Sequence, residues 1–251
     1  MSKNFLERMR TMIANGKEAD AKPRESDYLE IPDTAHSSLK HFMDMHTDTI
    51  AISRDAGTPH ILDAGVQKGY LAGQLLVATP LIDSGCFQKS VVFIFTHNAD
   101  GAMGVIINQA LDLVNFSSLV EGFADNEKTS TMHMPVYYGG PVDRHRGFII
   151  HSSDYIREHT MMRYGGIAMT ASNAILRDIA EGKGPKHAHL SIGFAGWSAG
   201  QIEQEIEQNS WISVPATADL VFTCANELKW VAASQSLGVD MNFFSTIVGH
   251  A

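Results

Sequence analysis

Twelve histidines and two cysteines set the range of chemistry open to this 251-residue chain. His97 or His151 could act as a general base, with Asn98 or Asn108 as a polar stabiliser, if folding puts a nucleophile or metal within hydrogen-bond reach. Cys86, in Ser84-Gly85-Cys86-Phe87, and Cys224 are the thiols that such a base could activate. A buried, inert cysteine needs no such neighbour. His187 and His189 would share one face of a strand, because strand side chains repeat every two residues. A metal would still need a third ligand, such as His151 or a carboxylate. The spacings of five in His36, His41 and His46 do not bring two rings together on a helix. No H-E-x-x-H occurs and the cysteines form no cluster, so neither a metal nor a cofactor is expected.

Glu203, Glu205 and Glu207 follow Trp197. Glu203 and Glu207 are spaced i, i+4 on one helix face, and Ile202 and Ile206 lie on another. The apolar pair is expected to pack inward and the acids to face water; the sharper alternative is a carboxylate dyad for hydrolysis. No phosphate-loop pattern is found. Gly101-Ala102-Met103-Gly104 and Gly139-Gly140-Pro141 therefore point first to turn geometry and close packing.

These side chains need elements to hold them. Leu75 to Ala78, Ser90 to Thr96, Met103 to Asn108, Val136 to Tyr138, Gly147 to His151, Ile167 to Met169 and His189 to Ala195 read as strands. So do Trp211 to Val214 and Leu220 to Thr223. Asn98-Ala99-Asp100-Gly101 supplies turn chemistry for a hairpin. Helices are predicted over Leu113 to Phe123, from Thr170 or Ser172 to Glu181, and over Asn226 to Ser236, with Gly182 and Gly238 as stops. Ser198-Ala199-Gly200-Gln201 fits a capping box opening a helix through Gln208. Strands and helices mix without βα alternation, which predicts an α+β fold.

Charge is uneven. The net charge is -9, which disfavours coating nucleic acid through bulk electrostatics. Residues 1–24 carry a net +3 and residues 25–66 a net -6. Phe5, Leu6, Met9, Met12 and Ile13 have helical spacing, with Asn15-Gly16 as a stop and a polar linker after it. Direct DNA binding would rest on that basic arm alone. No run of 18 apolar residues occurs, so no membrane span is expected. Two cysteines make no disulfide framework, and the composition suggests a soluble, cytoplasmic protein.

Several phrases, in order, resemble the AlgH/YqgE family of bacterial proteins. They are Gly73-Gln-Leu-Leu-Val-Ala-Thr-Pro80, Phe87 to Val92, His97-Asn-Ala-Asp-Gly-Ala-Met-Gly-Val-Ile-Ile-Asn108, Tyr138-Gly-Gly-Pro-Val142, Arg146-Gly-Phe-Ile-Ile-His151, Gly193-Phe-Ala-Gly-Trp-Ser-Ala-Gly-Gln-Ile-Glu203 and Gly249-His-Ala251. The resemblance covers residues 69–251 and leaves residues 1–68 as an amino-terminal extension. It implies an α+β fold with a bifurcated, mostly antiparallel β-sheet, a small barrel-like portion and surrounding helices. It also brings the label of transcriptional regulator, given because one member influences alginate production. No reaction, cofactor or settled DNA-binding mode comes with it. A regulatory or interaction role through a protein partner or small ligand is the expectation. The candidate surface is where His97, Asn98, Gly101, Gly104, Asn108, Gly139, Gly140, Pro141, His151, Trp197, Ser198, Gly200, Gln201 and Glu203 would converge.

Overall fold

Side-chain alternation turns the apolar runs into a sheet buried on both faces. The computed structural model describes residues 69–111, 134–157, 160–172 and 174–238. They form one nine-stranded sheet. Its strands are β1 (Gln74–Ala78), β2 (Val91–Asn98), β3 (Gly101–Ile106), β4 (Val136–Tyr138), β5 (Val142–Ser152), β6 (Thr160–Tyr164), β7 (Ile167–Thr170), β8 (Ala188–Ser198) and β9 (Trp211–Pro215). The helices are α1 (Ala174–Ala180), α2 (Gln201–Glu207) and α3 (Asn226–Gln235). The sheet order is β6-β7-β5-β8-β3-β2-β1-β9, with β4 paired to β8 off this path. Every pairing is antiparallel except β4 with β8.

In β1, Leu76 and Ala78 face one apolar cluster, and Leu75 and Val77 face the other. The first cluster packs under Ile175 and Leu176 of α1 and Ile202 of α2. The second takes residues from both ends of the sheet, including Met162 of β6 and Val214 of β9, together with Ala233 of α3. The ends curl toward each other around it. The Tyr164 ring lies against Gly73, where a Cβ would stand 2.9 Å from it, and Gly165 abuts the carbonyl of Ala216. No strand ladder joins β6 to β9 among the described residues. The result is a curled half-barrel of α+β type. Among the described residues, nine strands against three short helices correct one expectation: the sheet is not surrounded by helices.

β8 is the strand on which the sheet divides. One edge pairs with β5, while the other serves β4 at Leu190 to Ile192 and β3 at Ala195 to Ser198. The alternation slips at Gly193, whose φ is +73°. Leu190 and Ile192 face the first cluster, Phe194 the second, and Ala195 and Trp197 the first again. A glycine tolerates that backbone turn without a Cβ penalty, and the slip puts Trp197 on the face covered by α2.

Other elements differ from the sequence reading. Leu220 to Thr223 is not a strand but part of a π-helical turn, Asp219–Thr223. A four-residue apolar run does not distinguish the two by periodicity. Here Thr217 Oγ1 accepts the Leu220 N–H at 3.3 Å, and the Cys224 N–H reaches back to the Asp219 carbonyl at 2.9 Å. β6, Thr-Met-Met-Arg-Tyr, went unread because its short run lacks β-branched residues beyond Thr160. β3 starts at Gly101 rather than Met103 and ends before Asn108. The helix read over Leu113 to Phe123, the amino-terminal helix, His36, His41, His46 and the closing Gly249-His-Ala251 lie outside the described residues.

Candidate functional site

Helix α2 holds the sequence-predicted site together. Ile202, fully buried, fixes it on the first apolar face. Glu203 and Glu207 are exposed, as expected, while Glu205 is the acid that turns inward to the strands. Glu203 Oε1 lies 2.9 Å from His97 Nε2 on β2. The Leu71 N–H donates to His97 Nδ1 at 3.0 Å, so Nε2 carries the proton and donates to the carboxylate. Burial pushes the His97 pKa below its ordinary value, and Glu203 only partly opposes this.

The capping box forms by half. Gln201 Oε1 accepts the Ser198 N–H at 3.0 Å, but Gly200 is the N-cap, with φ +74° and no side-chain cap bond. Ser198 Oγ is buried without a hydrogen-bond partner among the described residues.

The remaining candidates scatter. Asn98 Oδ1 accepts the Asp100 N–H at 2.8 Å and closes the β2–β3 turn. Asn108 accepts the Val91 N–H and donates to the Lys89 carbonyl, both at 2.9 Å. His151 is fully buried on β5. Its Nδ1 lies 3.1 Å from the Ser152 carbonyl and its Nε2 3.0 Å from Thr170 Oγ1, so both nitrogens are engaged. The glycines sit where backbones nearly touch. A Cβ on Gly101 would stand 2.2 Å from the Trp197 carbonyl oxygen, and one on Gly104 2.7 Å from Val92 Cγ1. Gly139 and Gly140 cross β8 at Gly193 and Phe194, with Pro141 leading into β5. His97, Trp197, Gln201 and Glu203 thus come together around α2, and the Gly139-Gly140-Pro141 turn lies further back along β8.

The sequence reading missed the centre of this cluster. Glu205 Oε2 accepts the indole N–H of Trp197 and that of Trp211, each at 2.8 Å. Its Oε1 accepts Gln201 Nε2 at 2.9 Å. One carboxylate therefore ties α2 to β8 and β9. The three rings of Phe87, Trp197 and Trp211 meet edge to face or tilted, with centroids 5.6–6.4 Å apart. Beside them lies a pocket of about 170 Å³, lined by Ile82, Phe87, Gly196, Trp197, Gln201, Glu205, Ser210 and Trp211. Gln201 and Glu205 are i, i+4 on one helix face, a spacing that allows their contact but does not point to the two indoles.

Two buried groups stand apart from this site. Lys229 of α3 donates to the Ile107 carbonyl at 2.8 Å and lies 5.1 Å from the Tyr137 ring centre. Burial pushes its pKa down to about 8. His189, packed between Tyr137 and Phe222, is pushed down to about 3 by burial, with the charge of Lys229 adding to the effect. His187 stacks on Phe222. Cys86 is buried and its thiol pKa is raised by burial. No group of three or more potential metal ligands occurs among the described residues.

A pH dependence follows. His97, His151 and His189 all hold their folded pKa values below 6.5 through burial. The unfolded chain therefore binds more protons than the folded one as pH falls through 6.5. Stability is fully present above 6.5 and declines below it by up to about 1.4 kcal/mol per pH unit for each histidine. For His189 the decline continues to about pH 3. Urea midpoints at pH 7.5, 6.0 and 5.0 should fall in that order, and His189→Leu should reduce the slope. Midpoints independent of pH over that interval would contradict burial as the cause.

Comparison with known proteins places this geometry in context. Residues 75–242 match the profile of a family described as AlgH-like. A UPF0301 protein of Bradyrhizobium diazoefficiens is 41% identical over 191 residues, covering 73% of this chain and 89% of the relative. One from Jannaschia is 43% identical over 183 residues, covering 72% and 95%. The solution structure of the AlgH protein of Pseudomonas aeruginosa is similar with a TM-score of 0.59 at 32% identity, covering 75% of this chain and all of that one. A crystal structure from Corynebacterium diphtheriae, at 20% identity and TM-score 0.57, covers 74% and 96% and shares the fold.

Proposed function

The chain belongs to the AlgH-like family, and from that premise we propose that it is a non-enzymatic regulatory or interaction protein, working through a protein partner or small ligand held at the α2 pocket. The observation that carries this reading is the pocket of Phe87, Trp197, Glu205 and Trp211, concave and aromatic with polar groups at fixed positions, which is the form of a ligand site. Support also comes from His97 and His151. Each has both ring nitrogens engaged, His97 with Leu71 and Glu203, His151 with Ser152 and Thr170. A general base would have to give up one of those bonds to take a proton. We take the protein to act in the cytoplasm as a transcriptional regulator of indirect kind, with residues 1–68 as an extension of the family domain at 69–251. No helix among the described residues is long and apolar enough to cross a membrane.

The test uses the full chain and a Ser210→Phe variant, since Ser210 lines the pocket and a phenyl ring would fill it. Each protein is exposed to native lysate and the retained molecules are identified. A partner or ligand held by the wild type and lost by Ser210→Phe upholds the proposal. Equal retention by both, or turnover of ester or phosphoester substrates abolished by His97→Ala, would overturn it.

A further inference from the structure

Glu205 sits in an environment that leaves its charge uncompensated. Its three hydrogen-bond donors are two indoles and an amide, all neutral. Among the described residues no lysine, arginine or histidine forms an ion pair with it. Neutral donors fix a carboxylate in place but do not cancel its charge, and a carboxylate has about four lone-pair positions, of which three are used here. Around it stand Phe87, Trp197 and Trp211, whose ring faces carry negative electrostatic potential. An anion in this pocket would meet the negative charge of Glu205 with no cationic side chain among the lining residues to offset it. A cation in the pocket would find the Glu205 carboxylate and three aromatic rings among its lining residues. The net charge of -9 adds a long-range attraction of the same sign.

Resting on the reading of this pocket as a ligand site, we propose that the Trp197–Glu205–Trp211 pocket binds a small organic cation, an alkylammonium group free in solution. Size agrees with this assignment. A cavity of about 170 Å³ is close to one that accommodates benzene, so it takes roughly six heavy atoms, the bulk of a tetramethylammonium or butylammonium ion. Gln201 and Ser210 line the same pocket and supply polar contacts beside the carboxylate.

The experiment follows tryptophan fluorescence of the full chain during titration with tetramethylammonium, butylammonium, the neutral isostere 3,3-dimethylbutanol, acetate, and blocked lysine amide. Ordered saturation by the two ammonium ions is expected, at least ten-fold tighter than by the alcohol, with no response to acetate. Glu205→Gln should weaken ammonium binding at least ten-fold and alcohol binding several-fold less than that. Ser210→Phe, which retains Glu205, should abolish both. Equal affinity for ammonium and alcohol, or saturation by acetate, would overturn the cation assignment while leaving the pocket a ligand site. Tighter binding of blocked lysine amide than of butylammonium would overturn the free-amine assignment in favour of a peptide side chain. No saturation by any probe up to about 50 mM, with wild type and Ser210→Phe alike, would overturn both the cation assignment and the ligand site beneath it.

Discussion

Replacing Glu205 by alanine should lower the unfolding free energy by about 2–4 kcal/mol, more than truncating any other polar side chain on α2. The reason is the number of donors left behind. Trp197 and Trp211 are each 3% exposed, and their indole N–H groups would lose their acceptor together. A buried donor without a partner costs about 1–3 kcal/mol. The pocket lets some water in, which keeps the sum below the full penalty for both. Glu203→Ala is the control. Glu203 is 46% exposed and holds His97 from the solvent side, so its loss should cost about 1 kcal/mol or less. Urea unfolding at pH 7.5, followed by circular dichroism, gives both values. Equal losses for the two variants would mean that the Glu205 clamp does not hold α2 on β8 and β9.

The second large effect lies at the crossing behind the pocket. Gly140 has φ +150°, and a Cβ there would stand 2.3 Å from the Phe194 carbonyl carbon and 2.5 Å from the Ala195 nitrogen. These are backbone atoms of β8, so no rotamer relieves the overlap. Gly140→Ala should therefore cost more than about 4 kcal/mol, combining a backbone conformation closed to alanine with forced separation of strands. Gly139→Ala adds no φ strain but places its Cβ 2.2 Å from the Gly193 carbonyl oxygen, and should cost nearly as much. Gly182→Ala separates the two causes. It has φ +71° with nothing within 4 Å of its Cβ, so it bears the conformational cost alone, about 1–2 kcal/mol. Thermal unfolding should show a loss of roughly 10 °C or more for Gly140→Ala and about a third of that for Gly182→Ala. Similar losses would mean the close approach to β8 carries no weight.

These cases show what could be read without coordinates. The apolar runs around Leu75, Phe93 and Ile149 were legible because the strands are buried on both faces, which leaves continuous hydrophobic residues in the sequence. The preference for packing over ligand contact at Gly101 and Gly139 was legible too, since no phosphate-loop context surrounded them. Trp211 and Phe87 were not legible as partners of Trp197. They reach it from β9 and from the loop between β1 and β2, and nothing in local spacing records that approach. Glu205 was hidden for a related reason. Among three alternating glutamates, only tertiary contact distinguishes the one that meets two indoles. The role of His97 was half legible: its type marked it, but the Leu71 N–H that fixes its tautomer comes from 26 residues away.

The position of β8 in the chain governs the order in which this protein can assemble. The hairpins β2–β3 and β6–β7 are local and can form as soon as they leave the ribosome. β8 is synthesised later than β3, β4 and β5, all of which it must pair. Until Ser198 has emerged, the free edge of β3 and the β8-facing edge of β4 carry unmatched backbone groups, at a synthesis rate of about 5–20 residues per second. Those edges are templates for neighbouring chains during that interval. Late closure by one central strand makes the nascent chain, rather than the finished fold, the stage most exposed to aggregation, and it sets a high contact order for refolding.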